Sequence, residues 1–294
     1  MKYFCLVNPM AGNEESAAKI KKLPEIFTDG EVVTYDVTKT SYDKILSEVG
    51  KDDKIVLCGG DGTLNRFVNA FDVLPENDVY LFATGTGNDF LTDVGGDKDK
   101  PILINEYIRD LPIVTVNGKD YKFVNGVGYG IDGYCCEVGD AMKAAGKKDI
   151  NYAGIAVKGL LFKFKPRNAE ITVDGVTKTY KKVWLAPTMN GRYYGGGMIP
   201  TPEQGRSSER GNLSTMVYYG KGKLKSLMVF PSIFKGEHVK HTEMIEILEG
   251  DVITVKFDVP TALQIDGETI LGVTEYTVHS RNALKNAAQT GKTA

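Results

Sequence analysis

Short apolar runs at Tyr3 to Val7, Val32 to Val37, Ile55 to Cys58 and Val79 to Phe82 alternate with the helix-patterned stretches Ser16 to Phe27, Tyr42 to Val49 and Leu64 to Phe71. This rhythm constrains the fold more than any other feature of the chain. Short strands separated by amphipathic helices bury both faces of a sheet, and the sheet they specify is mostly parallel and covered by helices. Ligands of such sheets bind beyond the carboxyl ends of the strands. Three of those ends carry polar, glycine-rich segments: Asn8-Pro9-Met10-Ala11-Gly12-Asn13, Gly59-Gly60-Asp61-Gly62-Thr63-Leu64-Asn65, and Thr84-Gly85-Thr86-Gly87-Asn88-Asp89.

The second of these segments suits a polyphosphate. Glycines allow a sharp turn and bring backbone N–H groups against phosphate oxygens, and the start of the following helix adds positive potential. Asp61 is placed to organise Mg²⁺ and Thr63 to hydrogen-bond a phosphate. The competing explanation is that a tight strand-to-helix connection needs glycine for packing alone. In the third segment, Asn88 and Asp89 suit either a ligand or the cap of a helix.

From about Leu111 the pattern changes to strands joined by turn signals, among them Val116-Asn117-Gly118-Lys119 and Val173-Asp174-Gly175-Val176. Val183 to Met189, Leu213 to Tyr219, Glu243 to Leu248 and Val252 to Phe257 continue it, which predicts antiparallel hairpins in a sandwich-like β-rich domain. The boundary is expected near Arg109 to Pro112. Helices are expected at Gly133 to Ala145, Tyr152 to Phe164 and Leu224 to Ile233, and the polar stretch Asn282 to Ala294 is expected to fray.

A chain of 294 residues can bury two cores, and its net charge of -2 gives no support for wrapping nucleic acid. No run approaches the roughly 20 apolar residues of a membrane span, and the N-terminal apolar run is too short for a secretion signal, so the expected location is cytoplasmic. Four cysteines do not make a disulfide framework and are expected as reduced thiols. His238 and His241 are spaced like a metal-ligand pair but have no second pair, which favours ordinary polar roles.

Gln264-Ile265-Asp266-Gly267-Glu268 places two carboxylates around a glycine at a strand end, a pattern also produced by a simple hairpin. Taken with Asn8-Pro9 to Gly12, Gly59 to Asn65, Gly85 to Phe90, Asn125 to Gly130 and Asn190 to Met198, it makes an ordered set spanning nearly the whole chain. The set resembles the soluble diacylglycerol-kinase catalytic-domain family, which includes bacterial lipid kinases and sphingosine kinases.

The resemblance implies an α/β nucleotide-binding domain over 1–111, to which 276–294 returns, a β-rich acceptor-binding domain over 112–275, and ATP between them. It implies nucleotide contacts from Asn8, Pro9, Met10, Ala11, Gly12, Thr38, Gly59, Gly60, Asp61, Gly62, Thr63, Leu64, Asn65 and Thr86. Asn88 joins them on the reading of its own loop, and Thr34 and Thr40 compete with Thr38. Glu268 matches the family's general base, and Asp61 and Asp266 become candidates for holding Mg²⁺. The chain departs from the family at Gly205 to Leu213, where Glu209-Arg210-Gly211 replaces an acidic segment that contributes to a structural Mg²⁺ site, so that site is expected to be absent or altered.

Phosphoryl transfer itself asks for donors to the phosphate oxygens, a bridging metal and a base for the acceptor. The expected activity is an ATP-dependent lipid kinase acting on diacylglycerol or a related lipid. Its alternatives are a kinase of a soluble acceptor such as NAD and a nucleotide sensor on the same fold. Tyr152, Ile155, Val157, Leu160, Leu161, Phe162 and Phe164 either line an apolar cleft for the lipid or are simply core. Lys143, Lys147, Lys148, Lys158, Lys163, Lys165 and Arg167 around them give a local basic excess suited to peripheral contact with an anionic membrane surface at the inner face. A homo-oligomer is left open.

Overall fold

The chain divides at Asp110 into two units, Met1–Asp110 and Leu111–Ala294. The computed structural model describes residues 1–9, 14–85, 87–147, 150–206 and 211–290, with the backbone alone at Glu14, Ala153 and Leu161.

In the first unit, β1 (Lys2–Val7), β2 (Glu31–Asp36), β3 (Lys54–Gly59), β4 (Val79–Ala83) and β5 (Ile102–Leu103) form one sheet in the order β2-β1-β3-β4-β5. The first four are parallel and β5 is antiparallel. Cys5, Leu6, Ile55, Val56 and Leu57 on the central pair are fully buried, which explains why these strands read as continuous apolar runs. The connecting helices are α1 (Glu14–Lys21), α2 (Leu23–Ile26), α3 (Tyr42–Leu46), α4 (Asp61–Asn69), α5 (Asp89–Asp93) and α6 (Asn105–Ile108). The helix expected over Ser16 to Phe27 is broken at Lys22, because Pro24 has no N–H to return to the preceding turn. From β1 the chain moves outward to β2 and then crosses back to β3. The order therefore reverses between β1 and β3, whose carboxyl ends carry Asn8 and Gly60.

The second unit is an antiparallel sheet of β6 (Ile113–Val116), β7 (Lys119–Lys122), β8 (Gly126–Tyr129), β9 (Arg167–Val173), β10 (Val176–Val183), β11 (Thr188–Met189), β12 (Leu213–Tyr218), β13 (Ile245–Gly250), β14 (Val252–Ile265) and β15 (Glu268–His279). The long strands β14 and β15 pair with each other, and β14 also pairs with β8 and β9. Asn117-Gly118, Asp174-Gly175 and Asp266-Gly267 all have positive φ at both positions, as two-residue hairpin turns of the I′ type require. Tyr129, Phe257 and Tyr276 lie at the centre of one core, and Trp184, Leu160, Phe164 and Ile233 anchor a second under the helices.

Those helices are α7 (Ile131–Ala144), α8 (Tyr152–Lys158) and α9 (Lys223–Val229). A π-helical turn, Gly159–Lys163, extends α8, and a 3-10 segment, Phe230–Lys235, extends α9. The strand expected over Val183 to Met189 is interrupted before Thr188 by Pro187, which has no donor for the ladder. The expected fraying after Asn282 gives way to a helix, α10 (Arg281–Thr290), begun by the Ser280 hydroxyl accepting from the Ala283 amide at 3.1 Å. Strand β15 stays paired with both β14 and β6 through His279, so the domain limit expected at 275 falls inside a strand. Among the described residues no helix is long and apolar enough to cross a membrane.

Candidate active site

In the first unit the glycine-rich segment is the end of β3 and the start of α4, not a free loop. Helix α4 begins at Asp61, three residues before the periodicity of the sequence indicates. Gly60 is the N-cap, and a Cβ there would collide with the Gly87 carbonyl. Asp61 N–H donates to that carbonyl at 3.0 Å. The Asp61 carboxylate then accepts from Asp89 N–H at 2.8 Å and Phe90 N–H at 3.0 Å, capping α5 from outside. Two strand-end loops are thus latched together by one backbone and one side chain.

The latch leaves specific polar groups over. The N–H of Gly62, in the first turn of α4, has no intramolecular acceptor among the described residues. Asn88 occupies the N-cap position of α5 without capping it. Its Nδ2 donates to Gly85 O at 2.9 Å, and its buried Oδ1 has no hydrogen-bond partner. A helix-start amide beside a buried orphan acceptor fits a nucleotide's anionic and donor groups together.

The remaining expected contacts separate. Asn8 is half-buried and Pro9 exposed just past β1, while Met10, Ala11, Gly12 and Thr86 lie outside the described residues. Thr38 is exposed, and its hydroxyl and N–H both donate to Asp36 Oδ1, at 2.6 and 2.9 Å. Leu64 is fully buried in the core, and Thr63 and Asn65 are nearly so, with the Thr63 side chain pressed against Gly59. The side chains of Thr63, Leu64 and Asn65 are thus buried within the first unit.

In the second unit, described by itself, the turn at Asp266-Gly267 has a fixed base. Asp266 is buried and accepts from the N–H groups of Val124 at 2.5 Å, Asn125 at 2.7 Å and Gly126 at 2.9 Å. Gln264 Oε1 accepts from Gly267 N–H at 2.7 Å. Glu268 follows as the exposed first residue of β15. The next residue, Thr269, donates from its hydroxyl to Asp140 on α7 at 2.7 Å. The carbonyl side of the 124–125 segment is held as well: Asn190 Nδ2 donates to Val124 O at 2.9 Å and Arg206 Nη2 to Asn125 Oδ1 at 2.5 Å.

Sequence reasoning missed Asp132. It lies in the first turn of α7, 7 % exposed, accepting from the Tyr194 hydroxyl at 3.3 Å and hydrogen-bonded by Gln264. Burial pushes its carboxyl up to about 6, against the lowering effect of the Gly133 N–H and those two side chains. The nearby Cys136 thiol is pushed up to about 12, first by burial and then by the carboxylates of Asp132, Asp140 and Glu268. The signal that points to Asp132 is Gly126-Val127-Gly128-Tyr129-Gly130: alternate glycines strip one face of β8 for close approach. A Cβ on Gly128 would collide with Asp132 Oδ2 and Gln264 Nε2.

The chain matches two family models. Residues 2–115 match the diacylglycerol kinase catalytic domain, and residues 125–284, more than half the chain, match the YegS C-terminal NAD kinase beta sandwich-like domain. The chain belongs to the family defined by the YegS C-terminal NAD kinase beta sandwich-like domain. A diacylglycerol kinase of Mycobacterium tuberculosis is 27% identical over 202 residues, 65% of this chain and 63% of the length of that relative. A crystal structure of a diacylglycerol kinase from Bacillus anthracis str. Sterne superposes with a TM-score of 0.60 at 19% identity, covering 95% of this chain and 93% of the other, and so shares its fold.

The two metal candidates are both engaged with backbone. Both oxygens of Asp61 and of Asp266 serve backbone amides. Among the described residues no group of three or more His, Cys, Asp or Glu side chains is placed to hold a metal ion. The two aspartates position backbone. The altered segment Ser207 to Arg210 lies outside the described residues. His238 is buried with Nε2 2.8 Å from Pro200 O, and His241 Nδ1 lies 3.7 Å from Glu243, so they are not a ligand pair.

Proposed function

We propose that this protein is an ATP-dependent lipid kinase that transfers the γ-phosphoryl group to a hydroxyl of diacylglycerol or a related lipid. The observation that carries the reading is the placement of Glu268: an exposed carboxylate one residue beyond a turn whose aspartate is locked by three backbone amides. A base must hold its position against a hydroxyl to within hydrogen-bond reach, and a latched turn supplies that rigidity.

In this account the first unit binds the nucleotide through backbone, with the Gly62 amide toward phosphate and Asn88 Oδ1 accepting from a ligand donor. Asp61 keeps the two loops in register. Glu268 takes the proton of the lipid hydroxyl as it attacks phosphorus, and the β-phosphate oxygen of ADP leaves. Mg²⁺ would supply neutralisation of the polyphosphate charge, with Asp61 and Asp266 as the candidate residues to hold it.

Labelled-ATP transfer against diacylglycerols, phosphatidylglycerol, sphingoid bases and NAD tests the reading. NAD belongs in the panel because the second unit matches an NAD kinase-like domain model. The account expects label in a lipid. Label in NAD, or none in any acceptor, rejects it.

A further inference from the structure

The turn that carries Glu268 is closed by two cross-strand pairs. Ile265 and Glu268 form the terminal pair of β14 and β15, and Gln264 and Thr269 form the next. Cross-strand partners share a face of a sheet, so Gln264 and Thr269 stand side by side. Helix α7 packs along both strands and meets each member of that pair with a carboxylate. Asp132, in its first turn, is hydrogen-bonded by Gln264, whose Oε1 accepts from Gly267 N–H at 2.7 Å. Asp140, eight residues further along, accepts from the Thr269 hydroxyl at 2.7 Å.

Helix geometry makes this double grip possible. Positions four residues apart return to nearly the same face, so 132 and 140 share one side of α7 about 12 Å apart. Cys136 lies between them, and its thiol, raised first by burial, is raised further by Asp132, Asp140 and Glu268, so the glutamate is within electrostatic reach of the helix. Both oxygens of Asp140 are committed: Oδ1 accepts from Lys143 Nζ at 3.1 Å and Oδ2 from Thr269. Lys143 is also hydrogen-bonded to Tyr152 at the start of α8. The Tyr152 ring lies against Gly139, where a Cβ would collide with it. Asp140 is therefore oriented by its own helix and by the next one. The Asp266 latch holds the chain ahead of Glu268, and the bond between Asp140 and Thr269 holds it immediately after.

We infer that Asp140 is a positioning residue for Glu268, acting through Thr269 to fix the start of β15, as Asp132 and Gln264 fix the end of β14. Its chemical consequence rests on the kinase reading. A base that drifts from its hydroxyl loses the geometry of proton transfer even when the fold is intact.

Thr269→Val removes the hydroxyl and Thr269→Ser keeps it. Single-turnover transfer from labelled ATP to diacylglycerol should fall by about 3–10-fold in Thr269→Val with nucleotide affinity unchanged, and Thr269→Ser should stay within about twofold of the parent. The Asp140 side chain is 47% exposed, so Asp140→Ala spares the core. It should fall as Thr269→Val does, and the double variant no further than either alone. In a Glu268→Gln background Thr269→Val should have no added effect, which a general loss of stability would not reproduce. Amide hydrogen exchange over residues 264–270 reads the same grip without turnover: faster in Thr269→Val and Asp140→Ala, parent-like in Thr269→Ser. Parent-like transfer in Thr269→Val, additive loss in the double variant, or a full Thr269→Val effect in the Glu268→Gln background would each overturn the inference. Absence of transfer by the parent would reject the kinase reading instead, and hydrogen exchange would then decide the positioning alone, with unchanged exchange in Thr269→Val overturning it.

Discussion

Asp266 Oδ1 lies 2.7 Å from the amide nitrogen of Asn125, and the same carboxylate also holds the amides of Val124 and Gly126. A residue at the tip of one hairpin thereby fixes the entry to β8, 142 positions earlier in the chain at its furthest bond. Asp266 has a φ of 47°, which an aspartate tolerates in an I′ turn, and the turn aims the chain back into β15 at Glu268. The residue beside the proposed base is a structural clamp, and the chemistry depends on it indirectly.

Replacing Asp266 by Ala removes three charge-assisted hydrogen bonds and leaves buried amides unpaired, an expected loss of about 3 kcal/mol or more in denaturant unfolding. Asp266→Asn retains one acceptor oxygen and should recover only part of it. An unchanged midpoint in both variants would contradict the clamp.

Asp61→Ala should lower stability by about 1–2 kcal/mol, the size of a lost helix cap, and weaken nucleotide binding equally with and without Mg²⁺. Calorimetric titration of nucleotide in both conditions checks this. A defect seen only with Mg²⁺ would instead make Asp61 a metal ligand.

Asp132 gives a pH signature. Its carboxyl is raised from 3.8 to about 6 in the folded protein, so between those values the folded chain keeps a proton that the unfolded chain has lost. Stability therefore falls as pH rises through that window, by up to about 3 kcal/mol, and the penalty persists above it. Asp132→Asn should flatten this decline in unfolding measured from about pH 4 to about pH 7. A variant that declines as steeply as the parent would show that another group is responsible.

Gly128→Ala would push a methyl into Asp132 Oδ2 and Gln264 Nε2. Because Gln264 supports the Gly267 amide, the strain should reach the turn that carries Glu268. A loss of about 1–3 kcal/mol is expected, comparable to overpacking a core, with activity reduced in the still-folded fraction. Full activity with normal stability would show that the Asp132 and Gln264 contact is dispensable.

The alternation of the first unit and the hairpins of the second were legible because apolar period and Asn-Gly or Asp-Gly turns are local properties. Pro24 and Pro187 break elements that periodicity alone joined, and Ser280 starts a helix that polarity alone dissolved. For the candidate residues, the sequence named segments but not the hydrogen bonds that hold them, such as those of Asp61 to the Asp89 and Phe90 amides. The start of α4 at Asp61 was not legible because Gly60 hides it, and the amide partners of Asp61 and Asp266 were not legible because a carboxylate beside glycine looks the same whatever it meets. Asp132 escaped notice because its partners, Tyr194 and Gln264, are distant in sequence.

The most direct test is single-turnover transfer from labelled ATP to diacylglycerol by the parent protein and Glu268→Gln, with nucleotide affinity measured in parallel. The account predicts transfer by the parent, a rate lower by about 10²–10⁴-fold in the variant, and unchanged nucleotide affinity. Equal transfer rates in the two proteins, or loss of nucleotide binding as the source of the defect, would contradict it.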